Sequence, residues 1–204
     1  MLQSLGRFGT VSQMESLPVT DGGLDAVRAT LRKMAAIVKK YSSDATTLNF
    51  ARSVCVAAGV RDQRQAKRQC ICALQGWVRD HIAYFYDPRN TELLQTPPQT
   101  LTIGTGDCDD KTILLLAALE SIGYETELLA VGGVGRGWDP NPGNAADPTA
   151  PPPFSHVLGA VRFGPLTGKL PPFLDGWLTL ETIVAGAQPG YKPPGVRVIM
   201  PFHV

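Results

Sequence analysis

The chain has 204 residues, of which 44% are hydrophobic and 18% charged, a composition typical of a folded protein with a sizeable core. Its 19 Lys and Arg residues almost balance 18 Asp and Glu residues, so we expect no general nucleic-acid partner. The longest apolar run, residues 113–119, is too short to span a bilayer. Residues 1–20 lack the basic and apolar regions of a signal peptide. We therefore expect a cytoplasmic protein with no membrane partner.

Glycine and proline are unevenly distributed along the chain. Residues 1–131 hold 9 of the 21 Gly and 4 of the 17 Pro, and residues 132–204 hold the other 12 and 13. Residues 132–153 alone have eleven Gly or Pro among 22 residues. Loops of this length are functional or disordered more often than not, so this segment is predicted to be either a lid over a site or a plain insertion.

The first part of the chain is predicted to be helical. Apolar residues recur at steps of three and four over residues 24–41, which indicates one face of an amphipathic helix. A second helix is predicted over residues 48–58. A third presents one apolar face over residues 71–85 and ends at the following Asp-Pro pair. Residues 91–105 are predicted to be a connection.

The next helix is apolar on all sides. Asp107 is a suitable N-cap for a helix that runs to about Ser121 and stops at Gly123. Its uniformly apolar centre, residues 113–119, predicts burial in the middle of the protein. Three β segments are predicted after it, over residues 126–131, 154–163 and 174–184, and a final apolar piece covers residues 196–200.

These elements predict an α+β fold. We expect a single domain over residues 1–204, with a helical N-terminal extension over residues 1–75. The later helix and strands would then form one helical layer and one antiparallel sheet layer, which meet near residue 132.

Three of the four cysteines have simple explanations. Cys55, Cys70 and Cys72 lie in predicted helices, where we expect reduced thiols that behave as small buried hydrophobic groups. The spacing of Cys70 and Cys72 does not match a Cys-x-x-Cys metal site, and neither has a histidine nearby. No metal or other cofactor is therefore expected.

Cys108 is in a different setting, the Gly-Asp-Cys-Asp-Asp motif at residues 106–110. The motif coincides with the first turn of the buried helix, where the helix dipole and free N–H groups favour a thiolate. The same N–H groups could hold an oxyanion that forms when the sulfur attacks a carbonyl. Asp109 and Asp110 oppose this by repelling the thiolate, so the thiol needs a base.

The base would have to be one of three histidines. His81 lies off the apolar face of its predicted helix, and His203 is the penultimate residue, so both are expected at the surface. His156 opens a predicted strand directly after the long loop, where a site residue on a rigid scaffold is expected. His156 is therefore the candidate general base.

The pairing of the last two long β segments supplies a candidate acid. If they form an antiparallel hairpin with one face of apolar residues and glycine, His156 lies opposite Glu181 and Arg162 opposite Asp175. A carboxylate opposite an imidazole can fix its tautomer and stabilise the imidazolium. In this register Asp175 neutralises Arg162, and Glu181 is the partner of His156.

Over residues 77–183 the chain resembles the transglutaminase-like thiol enzyme superfamily, within the wider papain-like group. The resemblance rests on ordered segments at residues 78–84, 96–101, 106–110, 155–157 and 177–182. The Gly-Asp-Cys-Asp-Asp block is especially similar to bacterial and phage-encoded members. The resemblance implies a buried nucleophile helix packed on an antiparallel sheet.

The resemblance also implies a Cys–His–acid triad in this chain order. Cys108 and His156 match the first two positions. The acid position falls on Glu181, which departs from the aspartate of the family, and Asp175 is the alternative. The resemblance further implies that Tyr84 lies near the site, as an oxyanion donor or as a packed aromatic. Asp107 and Asp175 are also candidates for an oxyanion or supporting role.

Such a triad would attack the amide of a protein or peptide substrate and form a thioester, without a cofactor. The acyl group would pass to water in a protease or amidase, or to an amine in a crosslinking enzyme. The alternative is a non-catalytic binding or assembly module with the same fold, for example in a phage particle. A metal site of Asp107, Asp109, Asp110 and His156 is disfavoured, because consecutive carboxylates at a helix start splay apart.

Overall fold

The computed structural model describes residues 15–18, 24–60, 67–88, 91–132, 154–164, 176–196 and 198–204. The helices are α1 (Leu24–Tyr41), α2 (Ala45–Ala57), α3 (Lys67–His81), α4 (Pro97–Ile103) and α5 (Cys108–Ser121). The strands are β1 (Glu15–Pro18), β2 (Ala83–Tyr84), β3 (Thr91–Leu94), β4 (Thr105–Gly106), β5 (Thr126–Gly132), β6 (Phe154–Arg162), β7 (Trp177–Leu180) and β8 (Val198–His203). The mixture of helices and antiparallel strands confirms the predicted α+β class.

The third helix is shorter than predicted. It ends at His81, and the next residues form β2, which runs parallel to β4. Lys111 Nζ donates hydrogen bonds to Ile82 O at 2.7 Å and to Arg79 O at 3.3 Å. Carbonyl groups at a helix end need such partners, so these contacts end the helix before its apolar pattern stops.

A short helix lies in the segment predicted to be a connection. Thr96 is the N-cap of α4, and Gln99 Oε1 accepts a hydrogen bond from Thr96 N at 2.8 Å. Pro97 and Pro98 occupy the first helical positions, where a missing N–H costs nothing. This Thr-Pro-Pro-Gln sequence is a capping-box signal that the sequence analysis missed.

The predicted central helix is confirmed as α5. The Asp107 carboxylate caps it by accepting hydrogen bonds from Asp109 N at 2.9 Å and Asp110 N at 3.3 Å. Every side chain over residues 113–119 is fully buried. The helix packs against α1, α2 and α3 on one side and against β6 on the other, which brings its first turn to the sheet.

The four long strands form one antiparallel sheet in the order β7-β6-β5-β8. Its helix-facing side adds apolar residues of β6 and β7 to the main core, and the other side carries a second apolar cluster. Gly159 lies where α5 crosses β6 closely, because a Cβ atom there would come within 2.6 Å of Leu116 Cδ2.

The predicted hairpin register is wrong by two residues. Gly159 pairs with Leu180 and Arg162 pairs with Trp177, so the predicted opposition of His156 and Glu181 does not occur. The strand ends at Leu180, and Glu181 follows it. A shift of two residues leaves every side chain on its face of the sheet, which explains why the apolar face remains in the core.

The expectation of four reduced cysteines is also wrong, because Cys55 and Cys70 form a disulfide bond between α2 and α3. Cys72 and Cys108 are free thiols. Disulfide bonds are typical of oxidising surroundings, so the cytoplasmic location stays a prediction. In the described part of the chain, no helix is long and apolar enough to cross a membrane.

Two sequence predictions lie outside the described residues. They are the acid alternative Asp175, with its pairing to Arg162, and the loop at residues 132–153 beyond its first residue.

Candidate active site

Cys108 begins α5 and is partly exposed. Its thiol donates a hydrogen bond to Asp109 Oδ1 at 3.3 Å, and the backbone N–H of Val157 donates to the sulfur. One helical turn later, Thr112 Oγ1 donates to Val157 O at 3.4 Å. The start of α5 is therefore attached to β6 at the residue that follows His156.

His156 and Glu181 form a buried pair. His156 Nε2 lies 2.9 Å from Glu181 Oε2, and both side chains are fully buried. An ionised carboxylate only accepts hydrogen bonds, so the imidazole N–H is the donor. Glu181 Oε1 accepts a second hydrogen bond from Ile183 N at 2.9 Å. The predicted partners therefore meet, although Glu181 reaches the imidazole from just beyond the end of β7.

Five carboxyl groups lie in or near the motif of Cys108, and burial is the first cause of a raised pKa at each: Asp87, Glu92, Asp107, Asp109 and Asp110. The pKa of Asp107 rises to about 8 and that of Asp110 to about 7. Glu92 and Asp109 share a side-chain hydrogen bond. Neighbouring carboxyl groups that lose water hold protons that exposed ones release.

The same surroundings act on the thiol. Loss of water around the Cys108 sulfur raises its pKa well above the usual value, and the carboxylates of Asp109 and Asp107 raise it further. The hydrogen bond from Val157 N lowers it. The resting group at neutral pH is therefore a protonated thiol, which agrees with the prediction that this cysteine needs a base.

Tyr84 is close enough to Cys108 for the two groups to interact electrostatically. It pairs with Gly106 through β2 and β4 and stacks edge-on against Tyr86, with ring centroids 4.9 Å apart. Burial raises the pKa of its phenol, and so do the charges of Cys108 and Asp107. The phenol therefore keeps its proton as a possible donor, and its role toward an oxyanion stays a prediction.

Two groups of described residues bring possible metal ligands within 4.8 Å of one another. One is Asp107, Cys108 and Asp109, and the other is Asp87, Glu92 and Asp107. His156 belongs to neither group, which counts against the disfavoured four-residue metal set. Asp107 is the predicted N-cap of α5, and its supporting role toward Cys108 stays a prediction.

Two polar residues of the site were missed by the sequence analysis. Gln75 is fully buried on α3 and donates from Nε2 to Glu181 O at 2.9 Å. Lys111 is 2% exposed, and burial lowers its pKa to about 8 while Glu181 raises it. Gln75 lies four residues after Ile71 on the apolar face of α3, and a polar residue there was the available signal.

Comparison with protein-family models and with curated protein sequences finds no match to this chain. The family resemblance therefore depends on the order of the motifs in the sequence.

Proposed function

We propose that this chain is a thiol enzyme with a transglutaminase-like core, in which Cys108 attacks the amide of a protein or peptide substrate. The observation that carries the proposal is the buried His156–Glu181 pair. His156 directly precedes Val157, whose backbone N–H donates a hydrogen bond to the Cys108 sulfur. The order of nucleophile, base and acid along the chain matches the order that the resemblance implies. Glu181 replaces the usual aspartate.

In the proposed chemistry, the thiol proton passes to His156 while the sulfur attacks the substrate. Because Nε2–H donates to Glu181, the neutral imidazole accepts the proton at Nδ1. The sulfur bonds to the substrate carbonyl carbon in this step, and the positive end of the α5 dipole stabilises the oxyanion. The imidazolium returns the proton to the amine as the carbon–nitrogen bond breaks, which leaves a thioester on Cys108.

The second half of the reaction transfers the acyl group. His156 removes a proton from water or from an amine, the acceptor attacks the thioester, and the thiol recovers its proton. Hydrolysis and crosslinking therefore use the same side chains. No cofactor takes part in either route.

The raised pKa of the thiol shapes this proposal. A protonated Cys108 is a weak nucleophile, so proton transfer to His156 accompanies the attack instead of preceding it. Hydrogen bonding of the thiol to Asp109 must break for this transfer. We expect the reaction to depend strongly on His156 for that reason.

A non-catalytic binding or assembly module is the second candidate. Burial and the carboxylates of Asp109 and Asp107 disfavour the thiolate, and a module with no catalytic duty would tolerate this. If the chain is such a module, the reactivity of the Cys108 thiol should be independent of His156.

Alkylation by iodoacetamide separates the two candidates, with mass spectrometry reporting each cysteine. Cys72 is a free thiol in the same chain and serves as the internal reference. We expect His156→Gln to slow Cys108 alkylation about 100-fold, in line with general-base catalysis, and to leave the Cys72 rate unchanged. The matched control is His203→Gln, which alters an exposed imidazole.

An unchanged Cys108 rate in His156→Gln would contradict the enzyme proposal and favour the non-catalytic module. If the dependence is found, a peptide thioester formed on Cys108 can be offered water and a primary amine in turn. The preferred acceptor then distinguishes a hydrolase from an acyl transferase.

A further inference from the structure

We propose that Gln75 is a positioning residue, which sets the place of Glu181 and through it the orientation of His156. This inference rests on the function proposed above, since it assigns a role within the same triad. Gln75 lies on α3, outside both the nucleophile helix and the sheet, and 106 residues separate it from Glu181.

The need for such a residue follows from where β7 ends. Leu180 is the last residue of β7 that pairs with β6, so the sheet does not hold Glu181. The carboxylate contacts His156 and Ile183, and both contacts require the backbone of Glu181 to be in one place. A misplacement of about 1 Å in a reacting group can cost 100-fold in rate.

Gln75 fixes the backbone of Glu181, which strand pairing does not hold. Its Nε2 donates to Glu181 O at 2.9 Å and to Ala187 O at 3.2 Å, so one buried amide group bridges both ends of the segment after β7. Within the described residues, Oε1 of Gln75 has no hydrogen-bond partner. The donors of this side chain, not its acceptor, therefore connect it to the site.

Helix α3 is well placed to act as a fixed support. The disulfide bond of Cys55 and Cys70 ties it to α2. Lys111 ties its C-terminal end to α5 through two carbonyl groups. The position of Gln75 is thereby defined relative to the helix that carries Cys108.

Arg79 provides a matched control on the same helix. Its Nη1 donates to Ala187 O at 2.6 Å, so Arg79 holds the same segment without a hydrogen bond to Glu181. Gln75→Met and Arg79→Met therefore both loosen the segment at Ala187, but only Gln75→Met frees the backbone of Glu181.

The test measures Cys108 alkylation by iodoacetamide from about pH 5 to about pH 9 in the wild type, Gln75→Met, Arg79→Met and Glu181→Gln. We expect Gln75→Met to slow alkylation about 10-fold or more and to change the pH profile toward that of Glu181→Gln. Arg79→Met should keep the wild-type profile. Equal profiles for Gln75→Met and the wild type, or equal changes in both methionine variants, would overturn the proposal.

A second measurement is independent of reactivity. The ring N–H of His156 that donates to Glu181 should give a low-field proton resonance, which Glu181→Gln shifts and His156→Gln removes. We expect this resonance to move upfield or to exchange with water in Gln75→Met and to persist in Arg79→Met. If Cys108 is alkylated equally fast in the wild type and in His156→Gln, the proposed function fails. The resonance then decides by itself whether Gln75 positions the His156–Glu181 pair. A resonance unchanged in Gln75→Met would overturn the inference.

Discussion

Glu181 and the carboxyl groups near Cys108 are two buried acidic regions that accommodate burial differently. At Glu181, each carboxylate oxygen has a donor, from His156 or from Ile183. At the carboxyl groups that include Glu92 and Asp109, burial and mutual repulsion raise the pKa instead. One region supplies a hydrogen-bond partner for each carboxylate oxygen, and the other favours protonated carboxyl groups.

The difference matters for the proposed nucleophile, Cys108. A defined carboxylate partner orients an imidazole and stabilises its charged form. Loss of water around the Cys108 sulfur and negative charge on Asp109 and Asp107 keep the thiol protonated until a base acts. In the proposed reaction, the first region supports the base, whereas the second restrains the resting thiol.

The largest effect is expected from removing the carboxylate of the well-partnered region. Glu181→Leu leaves the imidazole of His156 and the amide of Ile183 without their acceptor, so we expect the free energy of unfolding to fall by about 3 kcal/mol or more. Glu181→Gln keeps an oxygen acceptor and should cost less. Urea denaturation measures the free energy of unfolding of both variants. Equal stability of Glu181→Leu and the wild type would show that the hydrogen bonds of Glu181 do not stabilise the fold, and the two regions would then not differ as described.

The pH dependence of stability should come from the cluster. Raised pKa values, about 8 for Asp107 and about 7 for Asp110, mean that the folded chain binds more protons than the unfolded chain above about pH 4. This contribution is complete below about pH 4 and is lost as the pH rises through 7 and 8.

We therefore expect the free energy of unfolding to fall between pH 4 and pH 8, by about 1.4 kcal/mol for each unit by which the pKa of a group is raised. Denaturation midpoints across this range measure the change. Stability that rises over the same interval would show that these carboxyl groups are ionised in the folded chain.

A smaller effect is expected from neutralising one member of the cluster. Glu92→Gln removes a charge that raises the pKa of Asp109, so we expect stability at about pH 8 to rise by about 1 kcal/mol. The fall between pH 4 and pH 8 should become shallower. Glu125→Gln is the control, because its side chain is 63% exposed. A similar gain in stability in Glu125→Gln would show that the effect comes from the net charge of the protein and not from the cluster.

The smallest effect is expected at Tyr84. Tyr84→Phe keeps the ring that stacks on Tyr86, so stability should change by no more than about 0.5 kcal/mol. If the phenol donates to an oxyanion, thioester formation from a peptide amide slows while iodoacetamide alkylation, which forms no oxyanion, keeps its rate. Tyr86→Phe is the matched control, and equal slowing in both variants would assign the effect to the aromatic pair.

Much of the helical layer could be predicted from local patterns. The central helix was predicted from a capping aspartate, an apolar centre and a terminal glycine, and α5 follows that prediction from Cys108 to Ser121. The end of α3 could not be predicted, because it depends on Lys111. This side chain donates hydrogen bonds to the carbonyl groups of Ile82 and Arg79, which lie 29 and 32 residues away in sequence. Contacts between distant residues leave no periodic signal.

The site shows the same division. A thiol at a helix start and a histidine after a long loop are local features, and they identified Cys108 and His156. The pairing with Glu181 was predicted through a register that is wrong by two residues. The side chains still meet, because a shift of two keeps the face of the sheet and Glu181 extends past the strand end.

The sequence by itself determined the helix that carries the nucleophile, the alternation of the strands and the identity of the candidate base. These depend on residues within a few positions of each other. Only the tertiary structure decided the strand register, the disulfide bond of Cys55 and Cys70, the five neighbouring carboxyl groups and the hold of Gln75 on Glu181. Each of these depends on burial and on contacts between segments that folding brings together, and both act only once the layers have packed.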